Sequence, residues 1–217
     1  LEELHIANDR NLHDARFAVQ YVVRPHTDEH HDFRGFAGQI ASGAFRAGEP
    51  VMVLPSGKTS KIKSIHTFDG DLDAAFTPMS VSLVLEDEID ISRGDLLSTA
   101  GKSPAHSERF SAELVWLHEE PMQPGRSYLL KAGATTAPAR VEELSYKINV
   151  NTLQHETGQQ LNLNEVGFCS LNISLAISFD NYHDNRASGS FILIDRMTNA
   201  TVGAGMVREP LQTAAIA

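Results

Sequence analysis

The sequence predicts an all-β protein made of two consecutive modules. Short runs rich in Val, Ile, Phe and Tyr recur at roughly 8–15 residue spacing between Gly, Pro and Ser turns, the signature of a sandwich or barrel. No stretch longer than about 12 residues holds a capped helical period. The strand pattern breaks across Thr99-Ala100-Gly101-Lys102-Ser103-Pro104 and then restarts. The modules are therefore placed at 14–101 and 102–210. Residues 1–13 form a linker or edge segment and 211–217 a tail free to fray.

Each strand has its own local warrant. Arg16 to Val22 is rich in Phe, Val and Tyr after a polar lead-in. Phe36 to Ala41 ends in Ser42-Gly43, a turn pair, and Pro50 to Leu54 ends in Pro55-Ser56-Gly57-Lys58. Ser60 to Phe68 sets Ile62, Ser64, His66 and Phe68 on one face, and Ser80 to Leu85 sets Val81, Leu83 and Leu85 against Ser82 and Val84. In the second module the runs are Arg109 to Leu117, Ser127 to Ala132, Ala137 to Tyr146, Val166 to Phe179 and Ser190 to Asp195. Phe191 to Ile194 are four consecutive apolar residues, as in a strand buried on both faces. A further short strand ends in Gly203-Ala204-Gly205, where missing side chains allow a neighbour to approach. The best helical candidate is short, Asn149 to His155.

The composition narrows the functions. Apolar residues make up 41% and charged residues 21%, which argues against disorder. Eighteen basic residues face 28 acidic ones, a net charge of −10, so a broad nucleic-acid surface is disfavoured. Cys169 is the only cysteine; in an apolar run it reads as a buried small hydrophobe. No apolar run is long enough to span a bilayer and no signal peptide is evident, so the expected partners exclude membrane and the expected compartment is the cytoplasm. Residue 1 is Leu, which reads as an excised or processed start.

Candidate chemistry is sparse. Ser56-Gly57-Lys58-Thr59 has the end of a phosphate-binding loop but Met52 where its first Gly is required, and a strand follows rather than a helix. A β-turn is the preferred reading. His26, His30 and His31 lie among three acids in one polar segment; they are metal candidates by ligand type only. Glu86 to Asp90 is an acidic strand end. No Gly-x-Ser-x-Gly elbow or guanine-reading Asn-Lys-x-Asp occurs, and no catalytic residue is assigned.

Several blocks carry a resemblance. Arg34 to Gly43, Gly48 to Val51 and Leu54 to Gly57 resemble the second domain of translational GTPases. Phe17 to Pro25, Thr67 to Asp71, Leu85 to Asp95, Tyr146 to Leu153, Leu163 to Gly167, Phe191 to Arg196 and Thr198 to Met206 are similar to the large, GTPase subunits of bacterial sulfate adenylyltransferases. The His-rich segment and the loop Asn181 to Ser188 diverge from that pattern. The resemblance implies two β-barrels like domains 2 and 3 of elongation factor Tu-like GTPases. It also implies a parent that couples GTP hydrolysis to formation of adenylyl sulfate and pyrophosphate from ATP and sulfate. GTP and Mg would belong to a GTPase domain ahead of the barrels, with no cofactor in this stretch. The implied partners are that domain and a smaller catalytic subunit. Arg34, Arg93 and Asp95, at loop ends of the first barrel, are the candidates for coupling between domains. The rival readings are the tRNA-binding barrels of an elongation factor, or a metal-dependent enzyme built on His26–His31.

Overall fold

Residues 11–24, 33–99 and 103–212 are described by a computed structural model, in which every regular element is a strand. The first module holds β1 (Arg16–Val23), β2 (Gly35–Ser42), β3 (Ala44–Arg46), β4 (Pro50–Leu54), β5 (Lys58–Thr67), β6 (Gly70–Leu72), β7 (Ala74–Phe76), β8 (Ser80–Leu85) and β9 (Leu96–Thr99). The second holds β10 (Ala105–Trp116), β11 (Ser127–Ala132), β12 (Thr135–Ile148), β13 (His155–Glu156), β14 (Val166–Phe179), β15 (Ser190–Ile194) and β16 (Thr201–Pro210).

Both modules close on themselves. The first sheet runs β4-β9-β1-β2-β8-β5, and β5 pairs back with β4, giving a six-stranded antiparallel barrel. The second runs β11-β15-β16-β10-β14-β12 and closes through β11–β12. Closure removes the unpaired edges that make open sheets sticky. Each barrel carries one appended strand, β6 on β5 and β13 on β12, and β3 pairs with β7 as a separate ribbon. Inward residues fill each barrel: Phe17, Phe45, Ile40 and Leu83 in the first, Phe110, Trp116, Leu130 and Phe191 in the second.

Bulges set the details that alternation misses. Register slips between Ile62 and Ser64 where β5 pairs with β8. The slip switches the inward phase, so Ile62 and Ile65 are both buried while Ser64 and His66 are only partly covered. The expected single face of Ile62, Ser64, His66 and Phe68 is corrected accordingly. Phe191 and Leu193 are buried, whereas Ile192 and Ile194 are half-buried; β15 alternates rather than being enclosed on both faces. The last strand does not stop at Gly205 but runs to Pro210. Asn149 to His155 forms a turn, not a helix: the Asn149 carboxamide oxygen accepts from the amides of Asn151 and Thr152, and Leu153 takes a left-handed φ of 59°. An Asx turn competing with the helix explains the difference.

Gly205 is the closest approach in the second core. It lies opposite Phe191, whose ring folds over it; a Cβ there would sit 2.0 Å from the ring tip. That ring is held in turn by Phe110, 5.5 Å away. At Gly203 a Cβ would meet Leu114 at 3.2 Å and Trp116 at 3.3 Å. We expect Gly203→Val and Gly205→Ala each to destabilise by about 1–3 kcal/mol through overpacking. Denaturant unfolding checks this, and Phe191→Leu should relieve part of the Gly205→Ala penalty; strictly additive effects would refute the ring contact as its cause.

Candidate functional site

The barrels meet at a seam built around one buried cation. Arg16 opens β1 and is 1% exposed; Asp180, just past β14, is 11% exposed. Arg16 Nε donates to Asp180 Oδ2 at 2.9 Å, and Nη2 donates to Oδ1 at 2.9 Å. A third bond runs from Nη1 to the Ala15 carbonyl at 3.0 Å. The planar fork of an arginine matches a carboxylate in this two-bond geometry, which lysine cannot reproduce. The loop after Asp180 adds to the node. Ser188 Oγ donates to Asp180 Oδ2 at 2.5 Å, and Asn185 Nδ2 donates across the seam to Ser42 Oγ at 2.7 Å. Asn11 Nδ2 donates to the Asp184 carbonyl at 2.9 Å.

Local structure makes this loop able to reach. Asn181 Oδ1 accepts the amide of His183, and the Asn181 carbonyl accepts the amides of Asp184 and Asn185. The chain turns tightly and brings Asn185, 3% exposed, back toward β2. On the partner side Gly43, at φ 64°, lets the chain pass Ala15: a Cβ there would lie 2.5 Å from Ala15 Cα. The divergent stretch Asn181 to Ser188 thus contributes Asn185 and Ser188 to the seam between the barrels.

Beside the node lies a cavity of about 740 Å³ with walls from both barrels, including Arg93, Asp95, His106, Thr135, Ser178 and Ser188. Burial pushes the Asp95 carboxyl up, against the Ser92 amide that it accepts. Thr135 Oγ1 donates to the Gly94 carbonyl at 3.4 Å, a contact between the barrels away from the Arg16 node. The walls offer hydrogen bonds and fixed charges of each sign, which suits binding and positioning.

The residues singled out in the sequence fall as follows. Arg93 Nη1 donates to the Gln20 carbonyl at 2.7 Å, within its own barrel and at the cavity wall. Arg34 sits over the Phe36 ring and reaches Asp90 at 3.4 Å, where Asp90 is 95% exposed. Arg93 and Asp95 share the cavity; Arg34 does not line it. Ser56-Gly57-Lys58-Thr59 is the β4–β5 turn, closed by the Gly57 amide on the Val53 carbonyl at 2.8 Å. Cys169 is buried, and burial pushes its thiol up to about 12. Asp87, in the acidic run, accepts from Ser60 Oγ at 2.8 Å. His26, His30 and His31 lie outside the described residues. Among the described residues no three His, Cys, Asp or Glu side chains gather as a metal site. Sequence reasoning missed Arg16, Asp180 and Asn185 as a set, since no spacing links residues 164 positions apart.

A second charged node pins the far turn of the second barrel. Asp195 Oδ1 accepts the amides of Met197 at 2.9 Å and Thr198 at 3.0 Å, and Oδ2 accepts from Arg126 Nη2 at 2.8 Å. The Thr198 amide, then the Met197 amide, hold its carboxyl down to about 2 from an ordinary 3.8. The folded value lies below the unfolded one, so its stabilisation is present above pH ~4 and is lost as pH falls toward about 2.

Two outcomes are expected. Asp180→Ala removes the carboxylate that accepts two of the Arg16 bonds and should destabilise in denaturant unfolding, while Arg16→Met with Asp180→Leu should cost less. Asp195→Ala should destabilise at pH 6, and its difference from the parent should shrink as pH is lowered to 2; a pH-independent difference would contradict the depressed carboxyl.

Comparison with known proteins places this geometry. Residues 109–208 match the family model described as GTP-eEF1A C-terminal domain-like. The chain is similar to sulfate adenylyltransferase subunit 1 of Psychromonas ingrahamii, 50% identical over 200 residues that cover 92% of this chain and 42% of that protein. It is 49% identical over 207 residues to the bifunctional enzyme CysN/CysC of Rhodopirellula baltica, covering 95% of this chain and 31% of that one. The solved structure of sup35 complexed with GDP superposes with a TM-score of 0.78 at 17% identity, over 92% of this chain and 48% of that chain, which speaks for the fold. The chain thus spans less than half the length of the curated relatives it matches. Identity near one half along most of its length, on a translation-factor-like pair of barrels, makes this chain a member of the sulfate adenylyltransferase subunit 1 family.

Proposed function

We propose that these barrels are the transmitting and docking part of a cytoplasmic sulfate adenylyltransferase large subunit. In the reading proposed here, a GTPase domain ahead of them holds GTP and Mg, and a smaller subunit carries adenylyl transfer. There a sulfate oxygen attacks the α-phosphorus of ATP, a P–O bond to pyrophosphate breaks, and adenylyl sulfate forms. The mixed phosphate–sulfate anhydride lies uphill, so the reaction needs a drive from outside its own bonds.

The observation that carries the reading is the seam. A displacement imposed on the first barrel would pass to the second through Arg16–Asp180, Asn185–Ser42 and Thr135–Gly94. A nucleotide biases such a body only through contacts that differ between its two states. Arg34 and Arg93 are the proposed coupling contacts, with Asp95 beside Arg93. Arg34 makes a weak exposed pair, so its loss should cost the fold little. The acidic balance of 28 to 18 favours this reading over tRNA-binding barrels.

In the full-length complex, Arg34→Ala or Arg93→Ala should raise the GTP hydrolysed per adenylyl sulfate made, at parent thermal stability. If both keep the parent ratio, these arginines only cap their own loops. Titrated with GTP, this chain alone should give no micromolar heat signal, since Ser56-Gly57-Lys58-Thr59 is a hairpin turn rather than a phosphate cradle.

A further inference from the structure

The first barrel presents an aromatic surface that its own fold leaves uncovered. Cross-strand pairing sets Tyr21 opposite Ala37, Ala37 opposite Ser82 and Ser82 opposite His66. These four residues form a row across β1, β2, β8 and β5. Directly paired residues share a face, so the row has rings at both ends and small side chains between. The result is a shallow depression, and Phe68 joins its rim from the β5–β6 turn. Tyr21 is 67% exposed and Phe68 wholly so.

The hairpin holding Phe68 is braced. Thr67 Oγ1 donates to the Gly70 carbonyl at 2.8 Å. His66 bonds Ser64 Oγ through Nε2 at 2.7 Å and Asp71 Oδ1 through Nδ1 at 2.5 Å. The Phe33 ring packs edge-on against His66, 5.4 Å between centroids. None of these braces touches the Phe68 ring, so that ring is carried outward on a stiff support without a packing role. In the floor, the Ser82 hydroxyl is buried with no hydrogen-bond partner. Asp69 sits beside Phe68 in the turn, and Asp71 is 70% exposed.

We propose that this surface docks the partner subunit that pairs with a subunit 1, and that Phe68 is its anchor. The inference rests on the function proposed above and adds where and how the partner binds. An exposed rigid aromatic beside a depression is the usual core of a protein interface, where Tyr and Phe are enriched. The charge fixes the chemistry of the other side. Asp69 and Asp71 flank the anchor on a chain with ten more acids than bases, so the partner presents an apolar pocket rimmed by Lys or Arg.

The test uses the full-length large subunit and its partner subunit, with affinity measured by calorimetry. Phe68→Ser should weaken binding by about 30-fold or more, as loss of a central aromatic anchor does. Tyr21→Ser should weaken it less. Asp69→Lys should slow association and flatten its salt dependence. Met197→Ser, another exposed apolar residue but on the second barrel, should bind as the parent does. Melting temperatures should match throughout. If the Phe68 and Tyr21 variants keep parent affinity, the docking surface lies elsewhere. If they keep affinity but change the GTPase rate of the large subunit by itself, the occupant is the GTPase domain and the proposal is overturned. A parent that forms no complex overturns the proposed function and this inference together.

Discussion

The Arg16 guanidinium is withdrawn from water where two barrels touch, and that fact constrains their whole arrangement. A buried cation must find its counter-charge in place or the contact opens. Asp180 supplies it from the other module, and Asn185 and Ser188 hold the loop that delivers it. A seam of apolar contacts would tolerate sliding; a fork of two parallel bonds tolerates one distance and one plane. The stabilisation gained is modest once desolvation is counted, so the node's main effect is on geometry. Under the function proposed above, fixed geometry would matter more than tightness.

Closure gives the barrels a complementary economy. Six strands return on themselves in each; among the described residues the short β6 and β13 and the β3–β7 ribbon stand outside the rings. The interiors are committed to packing, as the Phe110, Phe179 and Phe191 cluster illustrates. Distinguishing chemistry is left to turns and added pieces: the β5–β6 hairpin, the loop from Asp180, and the Asp195 turn. Variation there leaves the barrels intact, because loops on a rigid scaffold carry few packing obligations.

The all-β class and most strands were legible, because alternation survives in Val81, Leu83 and Leu85 and in the long run Val166 to Phe179. What failed to show follows from short-range or long-range physics. The β5 bulge shifts a face by one residue, and nothing in the residues from Ile62 to Ile65 signals it. The three-residue strands β3, β6 and β7 are too short to hold a period. Asn149 to His155, the best helical candidate, is broken by the Asx turn at Asn149. Arg93 and Asp95, singled out by resemblance, both line the cavity between the barrels. Arg16 and Asp180 could not be found at all, since a charge at a strand start reads as solvated until a second domain covers it.

Trp116 is the single tryptophan, 2% exposed, its ring edge-on to Tyr128 and its Nε1 donating to the Glu120 carbonyl at 2.7 Å. It lies wholly within the second barrel. Intrinsic fluorescence excited in the indole band therefore watches that barrel and is blind to the other. Far-ultraviolet dichroism weighs both. Superposition of the two signals during melting would mean that the seam makes the barrels one cooperative unit, and separation would mean that each unfolds on its own terms. The protein thus carries a built-in optical reporter of its own domain coupling.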